Sequence, residues 1–129
     1  MTDIMKRDLP EFSKALLLDV FDEPILFHRC YVGITGSVTA ALMLSNAVNA
    51  AELLDDDNDG WFSKTQDDWN RDTGLSRAEQ ASARRALRQL GVLEECKQGM
   101  PAQLYFRVNA GVLYELLNAQ AQRNWDGLL

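Results

Sequence analysis

A chain of 129 residues with 47% apolar composition suits one globular domain with its own core, and none of its apolar runs nears the roughly 18 residues of a membrane span. Its two cysteines, Cys30 and Cys96, form no CxxC pair, which excludes a dithiol redox motif and leaves two reduced, mostly buried thiols in the cytoplasm as the expectation. The net charge of −6 speaks against a nucleic-acid partner, yet it is unevenly spread: residues 1–60 hold 4 Lys/Arg against 11 Asp/Glu, and residues 61–129 hold 9 against 8.

Met1 to Asp8 opens no apolar stretch, so no signal peptide is expected. Pro10 suits a first helical turn, and Phe12, Ala15, Leu16 and Val20 follow at helical spacing, predicting a helix over 10–20 that ends at Asp22-Glu23-Pro24. Ile25 to Ile34 is rich in aromatic and β-branched residues and predicts a strand. Ser37 is a candidate N-cap for a long helix from Val38 to about Leu54, apolar nearly all round and therefore central to the core or covered by a partner. Asp55 to Gly60 reads as an acidic loop, and Trp61 to Lys64 as a short strand or extended lead.

Thr65, with Asp68 three residues on, caps a short helix to about Asp72 that turns Trp69 inward. Thr73-Gly74-Leu75 is a tight turn. Ser76 and Glu79 then repeat the capping-box spacing for a helix from Arg77 to Leu90, stopped by Gly91. Val92–Lys97 and Ala102–Val108 predict two strands about the turn Gln98-Gly99-Met100-Pro101, with Leu104, Phe106 and Val108 on one face. Asn109 caps a last helix to about Gln120, whose Val112, Leu113, Leu116 and Leu117 either close the core or form a homodimer interface. Arg123 to Leu129 reads as a frayed tail.

Short helix, tight turn, longer helix, glycine stop and hairpin make a helix-turn-helix with a wing, the second helix being the element that enters a DNA major groove. Projected at about 100° per residue, Ala83, Ala86, Leu87 and Leu90 form its core face, and Arg77, Arg84, Arg85 and Arg88 gather opposite, with Ala78 and Ala81 among them. Guanidinium groups beside small side chains suit close approach to phosphates and bidentate reading of guanine. Arg77 and Arg85 are the base-edge candidates, with Ser76, Gln80 and Ser82 as helpers, and Arg88 holds a phosphate. On the wing, Lys97, Gln98 and Gln103 reach the neighbouring backbone. The competing reading of the arginines is a solvated helix face, favourable near a helix C-terminus.

Gly60-Trp61-Phe62-Ser63-Lys64-Thr65, Trp69, Thr73-Gly74-Leu75-Ser76, Glu79-Gln80, Ala83-Arg84, Leu87 and Leu90-Gly91-Val92-Leu93 resemble small winged-helix proteins of bacteria and of their phages, plasmids and integrated elements. Phe27-His28-Arg29 and the apolar helix after Ser37 extend the likeness over about residues 25–117. The resemblance implies binding of DNA in replication or transcription control.

Other features carry less. Asp55, Asp57, Asp59 and Gly60 match positions 1, 3, 5 and 6 of an EF-hand loop, but position 12 is Gln66, which cannot supply the bidentate carboxylate; a solvated turn or a contact for a basic partner fits better. His28, the only histidine, reads as a hydrogen-bonded strand residue and not as a metal ligand. No GxSxG, GxxxxGK or GxGxxG occurs, and neither an enzyme nor a cofactor is expected. The expected fold is α+β and mainly helical: one winged helix-turn-helix domain over 1–129, with a helix/strand part at 10–54, helix-turn-helix plus wing at 61–108, and a C-terminal helix at 109–120. The expected function is double-stranded DNA binding by residues Ser76, Arg77, Gln80, Ala81, Arg84, Arg85, Arg88, Lys97 and Gln98. The alternative is an acidic module that docks on a basic, nucleic-acid-binding protein through its N-terminal half.

Overall fold

The computed structural model describes residues 22–54 and 58–127, so the helix expected at 10–20 and Asp55, Asp56 and Asp57 of the acidic loop lie outside the described residues. The stretch expected as a strand over 25–34 is different: residues 22–28 form no regular element, and helix α1 (Arg29–Thr35) follows. Local propensity misleads here because Tyr31 is buried from a helix, and the start at His28 has no side-chain cap to mark it. Gly36, at φ 74°, ends α1 with its amide on the Val32 carbonyl. His28 is an exposed N-cap residue, not a strand residue, and meets the Tyr31 ring edge-on at 5.8 Å. Cys30 is exposed and Cys96 half-buried, against the expectation of mostly buried thiols.

Helix α2 (Val38–Glu52) begins where the Ser37 hydroxyl accepts the Ala40 amide at 3.2 Å. Ala40, Ala41, Met43, Leu44 and Ala47 are fully buried, so the nearly uncharged helix is the centre of the core, as its composition requires. A short strand β1 (Phe62–Ser63) leads into α3 (Gln66–Thr73), then α4 (Arg77–Leu90), then the hairpin β2 (Leu93–Gln98) and β3 (Gln103–Val108). The three strands form one antiparallel sheet in the order β1-β3-β2, with Phe62 opposite Phe106 and the hairpin paired from Leu93–Val108 out to Gln98–Gln103. The last helix, α5 (Ala110–Asp126), is capped by the Asn109 side chain on the Val112 amide at 3.1 Å. It runs past the expected end at Gln120 because Ala, Gln and Arg dominate its second half and Gln122 donates to Asp126 one turn on, at 3.1 Å. Val112, Leu113, Leu116 and Leu117 pack half-buried on the core, so α5 closes it. The fold is thus α+β and mainly helical, and among the described residues no single helix is long and apolar enough to cross a membrane.

Three aromatic rings from three elements lock the sheet to the helices. Trp69 of α3 meets Phe106 of β3 edge-on at 5.3 Å, and Phe62 of β1 lies 5.9 Å from Phe106 and 6.4 Å from Trp69. The Trp69 indole N–H has no hydrogen-bond partner among the described residues, so the ring acts through its faces and edges. Lys64 places its ammonium 4.5 Å from the Trp69 ring centre while donating to Asn46 (2.6 Å) and Asp72 (2.5 Å).

Helices α3 and α4 start alike. The Thr65 and Ser76 hydroxyls accept the Asp68 and Glu79 amides at 3.0 and 3.2 Å, and those carboxylates return to the cap amides at 2.9 and 3.0 Å. The cap amides hold the Asp68 and Glu79 carboxyls below the usual range, and the Lys64 hydrogen bond does the same for Asp72. A pKa depressed on folding stabilises the protein above the unfolded value, and that stabilisation is lost as pH falls through the folded value. The urea midpoint is therefore expected to hold from neutral pH to about 5 and to fall below about 4, and to fall less steeply in an Asp68→Asn/Asp72→Asn variant. Phe106→Ala, which empties the middle of the aromatic cluster, is expected to lower unfolding free energy by about 3–5 kcal/mol in the same titration at pH 7.

Candidate functional site

Helix α4 is held on one side and open on the other. Ala83 and Leu87 bury its inner face, and Gly91, at φ 77°, stops it by returning its amide to the Arg88 carbonyl at 2.9 Å. The turn from α3 is fixed by side chains. The Leu75 carbonyl accepts from Asn70 Nδ2 at 3.1 Å and from Gln80 Nε2 at 3.0 Å, and the same Gln80 amide group donates to the Gln66 carbonyl at 3.0 Å. The Thr73 hydroxyl donates to the Trp69 carbonyl at 2.5 Å and accepts the Leu75 amide at 3.2 Å. The angle between the two helices is therefore held by hydrogen bonds to buried and partly buried carbonyls, the buried ones being the costlier to break.

Gln80 corrects the sequence expectation. It was expected to help read bases, but only 2% of it is exposed, and its amide is spent on the turn. Ser76 is exposed but its hydroxyl is the cap of α4. Arg77, Ala78, Ala81, Ser82, Arg85 and Arg88 form the exposed face.

Arg84 also departs from the expected open stripe. Its Nε and Nη2 donate to Glu95 Oε1 and Oε2 of β2 at 2.7 and 2.8 Å, a bidentate pair, and its guanidinium carbon lies 5.7 Å from the Phe106 ring centre. Arg88 reaches the same carboxylate at 3.3 Å but keeps half its side chain in solvent, whereas Glu95 keeps 9%. The Glu95 hydrogen bonds raise the Arg84 pKa, so this guanidinium is locked in its charged state. Glu95 was missed in the sequence. The signal was there: alternation from Leu93 turns residue 95 toward α4, where Arg84 and Arg88 stand one helical turn apart.

The same alternation puts Lys97 on the α4 side of the hairpin, two residues beyond Glu95 and exposed. Gln98 and Gln103 are exposed and face each other at the last strand pair before the turn. On the other face of the hairpin Arg107 donates to Glu94 (2.7 Å) and Asp59 (3.1 Å), and its guanidinium carbon stands 4.6 Å from the Trp61 ring centre.

This sorts the basic residues of the second half. Lys64, Arg71, Arg84, Arg88 and Arg107 each have a carboxylate partner. Arg77, Arg85, Lys97 and Arg123 have none among the described residues, and three of these four lie on α4 or the hairpin beside it. Arg84→Ala is accordingly expected to lower unfolding free energy by about 2–3 kcal/mol, because it leaves the largely buried Glu95 carboxylate with only Arg88. Arg85→Ala is expected to stay within about 0.5 kcal/mol, as for a surface change. Urea titration of the two variants measures the difference.

Comparison of the chain with protein-family models, with curated proteins and with solved structures gives no match.

Proposed function

We propose that this chain is a winged helix-turn-helix protein that binds duplex DNA, with α4 in the major groove and the β2–β3 hairpin as its wing. The element order supports this reading: a core helix, a short strand, two capped helices across a pinned turn, and a hairpin whose second strand pairs with the first strand. One observation carries it. Of the four basic side chains of the second half left without carboxylate partners among the described residues, three (Arg77, Arg85 and Lys97) lie on the exposed side of α4 and on the adjoining hairpin, in a protein that is otherwise acidic.

Arg77 and Arg85 are the readers. They stand eight residues apart, about 12 Å along the helix, with exposed Ala78, Ala81 and Ser82 between them beside Glu79, whose carboxylate accepts the Ser76 amide. That spacing spans about three to four base pairs at 3.4 Å each, and the small residues let the helix backbone approach the groove floor. Arg88 serves a phosphate from its half-exposed position beside Glu95, and Lys97 serves another from the wing. Arg84 and Gln80 have the different task of holding α4 at its angle to the wing and to α3. The resemblance to small winged-helix proteins of bacteria and mobile elements suggests control of replication or transcription as the setting, and the cytoplasm as the place.

The test is fluorescence anisotropy with a duplex of about 30 base pairs at low and moderate salt, comparing wild type with Arg77→Ala/Arg85→Ala. The double variant is chosen because neither side chain supports the fold, unlike Arg84. Two phosphate contacts, Arg88 and Lys97, give an expected slope of about −2 in log K against log salt; loss of the two base-reading arginines is expected to leave that slope nearly unchanged and to weaken binding to a preferred site by about 1–3 kcal/mol per arginine. Absence of wild-type binding at low salt would reject the DNA reading. It would favour docking of the acidic surface, which includes exposed Asp22, Glu23 and Glu52, on a basic protein.

A further inference from the structure

We propose that the wing works as an apolar wedge, inserting Met100 between base pairs through the minor groove and bending the DNA that α4 reads. This rests on the DNA-binding reading above and concerns what the hairpin does once α4 is seated.

Met100 is 100% exposed, so it contributes nothing to the core. It sits at the end of a stiff support. Six consecutive residue pairs, Leu93–Val108 to Gln98–Gln103, join the two strands, and the Arg84–Glu95 pair fastens the ladder to α4. From Glu95 to Gln98 the strand advances about 10 Å at roughly 3.3 Å per residue, and the turn extends beyond that. Gly99 and Ala102 flank Met100-Pro101 and are slim enough to leave the tip narrow.

The charge pattern tells which part of the duplex such a tip fits. Lys97 is the last charge on β2 and Arg107 the first on β3, so the tip from Gln98 to Tyr105 carries none. A phosphate-binding wing places cations there. An uncharged tip bearing methionine and proline matches instead the apolar side chains that architectural proteins push between base steps from the minor groove. Gln98 and Gln103, exposed and paired just below, offer amides to the adenine N3 and thymine O2 acceptors on the groove floor. Lys97, one residue further back, meets the phosphate rim. The preferred substrate is then a duplex with a flexible pyrimidine–purine step flanking the major-groove contact, where unstacking costs least.

The experiment uses the full chain and a duplex of about 30 base pairs with TA steps near both ends, labelled at its ends with a donor and an acceptor dye. Anisotropy reports binding and energy transfer reports end-to-end distance in the same titration. Wild type is expected to raise transfer on saturation. Met100→Ala is expected to bind within about tenfold of wild type, because the phosphate contacts remain and the unstacking cost disappears with the wedge, but to lose the rise in transfer. The fully exposed site makes misfolding of this variant an unsuitable explanation, and circular dichroism checks it. Equal bending by Met100→Ala, or wild-type binding without bending, overturns the wedge while leaving the DNA reading in place. No binding by wild type overturns both.

Discussion

The contact of Trp69 with Phe106 is the constraint on which the other elements depend. It is the point where a helix of the α3–α4 pair meets the sheet, and both rings are almost wholly inside. Phe62 completes the cluster from β1, and cations lie over two of its faces, Lys64 on Trp69 and Arg84 on Phe106. Each of those cations then reaches a carboxylate, Asp72 on α3 or Glu95 on β2. A hydrophobic contact and two ion pairs are thereby joined into one structure, with each ion pair partly shielded from water by the rings beneath it. The position of α4 relative to the hairpin follows from this arrangement and not from the two elements alone.

An acidic protein that leaves a basic surface exposed has to keep its arginines from being neutralised by its own carboxylates. Here the division is spatial. Glu94 and Glu95 alternate across β2, so one faces Arg107 and the other faces α4; Glu95 takes guanidinium donors on both oxygens, and Glu94 takes Arg107 on one and the Asn109 amide on the other. Glu79, the only acid within α4, is tied to the Ser76 cap. The acids nearest the exposed arginines are thus committed to structural tasks, and the positive potential of Arg77 and Arg85 is left to act outward.

Much of this was legible from residue order. Thr65 with Asp68 and Ser76 with Glu79 mark helix starts by a local mechanism, and Gly74 and Gly91 mark stops by another, so α3, α4 and the hairpin follow within a residue or two. The uncharged run after Ser37 likewise announced a central helix. What escaped depends on contacts between distant parts of the chain. Tyr31 lies in a segment of strand-forming residues and becomes helical because α2 offers it a burial site. Gln80 lies next to exposed positions on a helical projection, yet it turns inward because the carbonyls of Leu75 and Gln66 converge there. Arg84 sits in the middle of the expected stripe and was drawn out of it by Glu95. A projection gives directions around a helix, and it carries no information on which polar partner waits at the boundary of the buried sector.

The inward turn of Gln80 has a consequence for how such a surface changes over evolutionary time. Because the turn is held by Gln80, the cap by Ser76 and the tilt by Arg84, the three anchors alternate in sequence with the positions that face outward. Arg77, Ala78, Ala81, Ser82 and Arg85 can therefore be exchanged singly with little change in folding energy. The chemistry of this surface can therefore change by single substitutions through folded intermediates, while a change at an anchor costs folding energy.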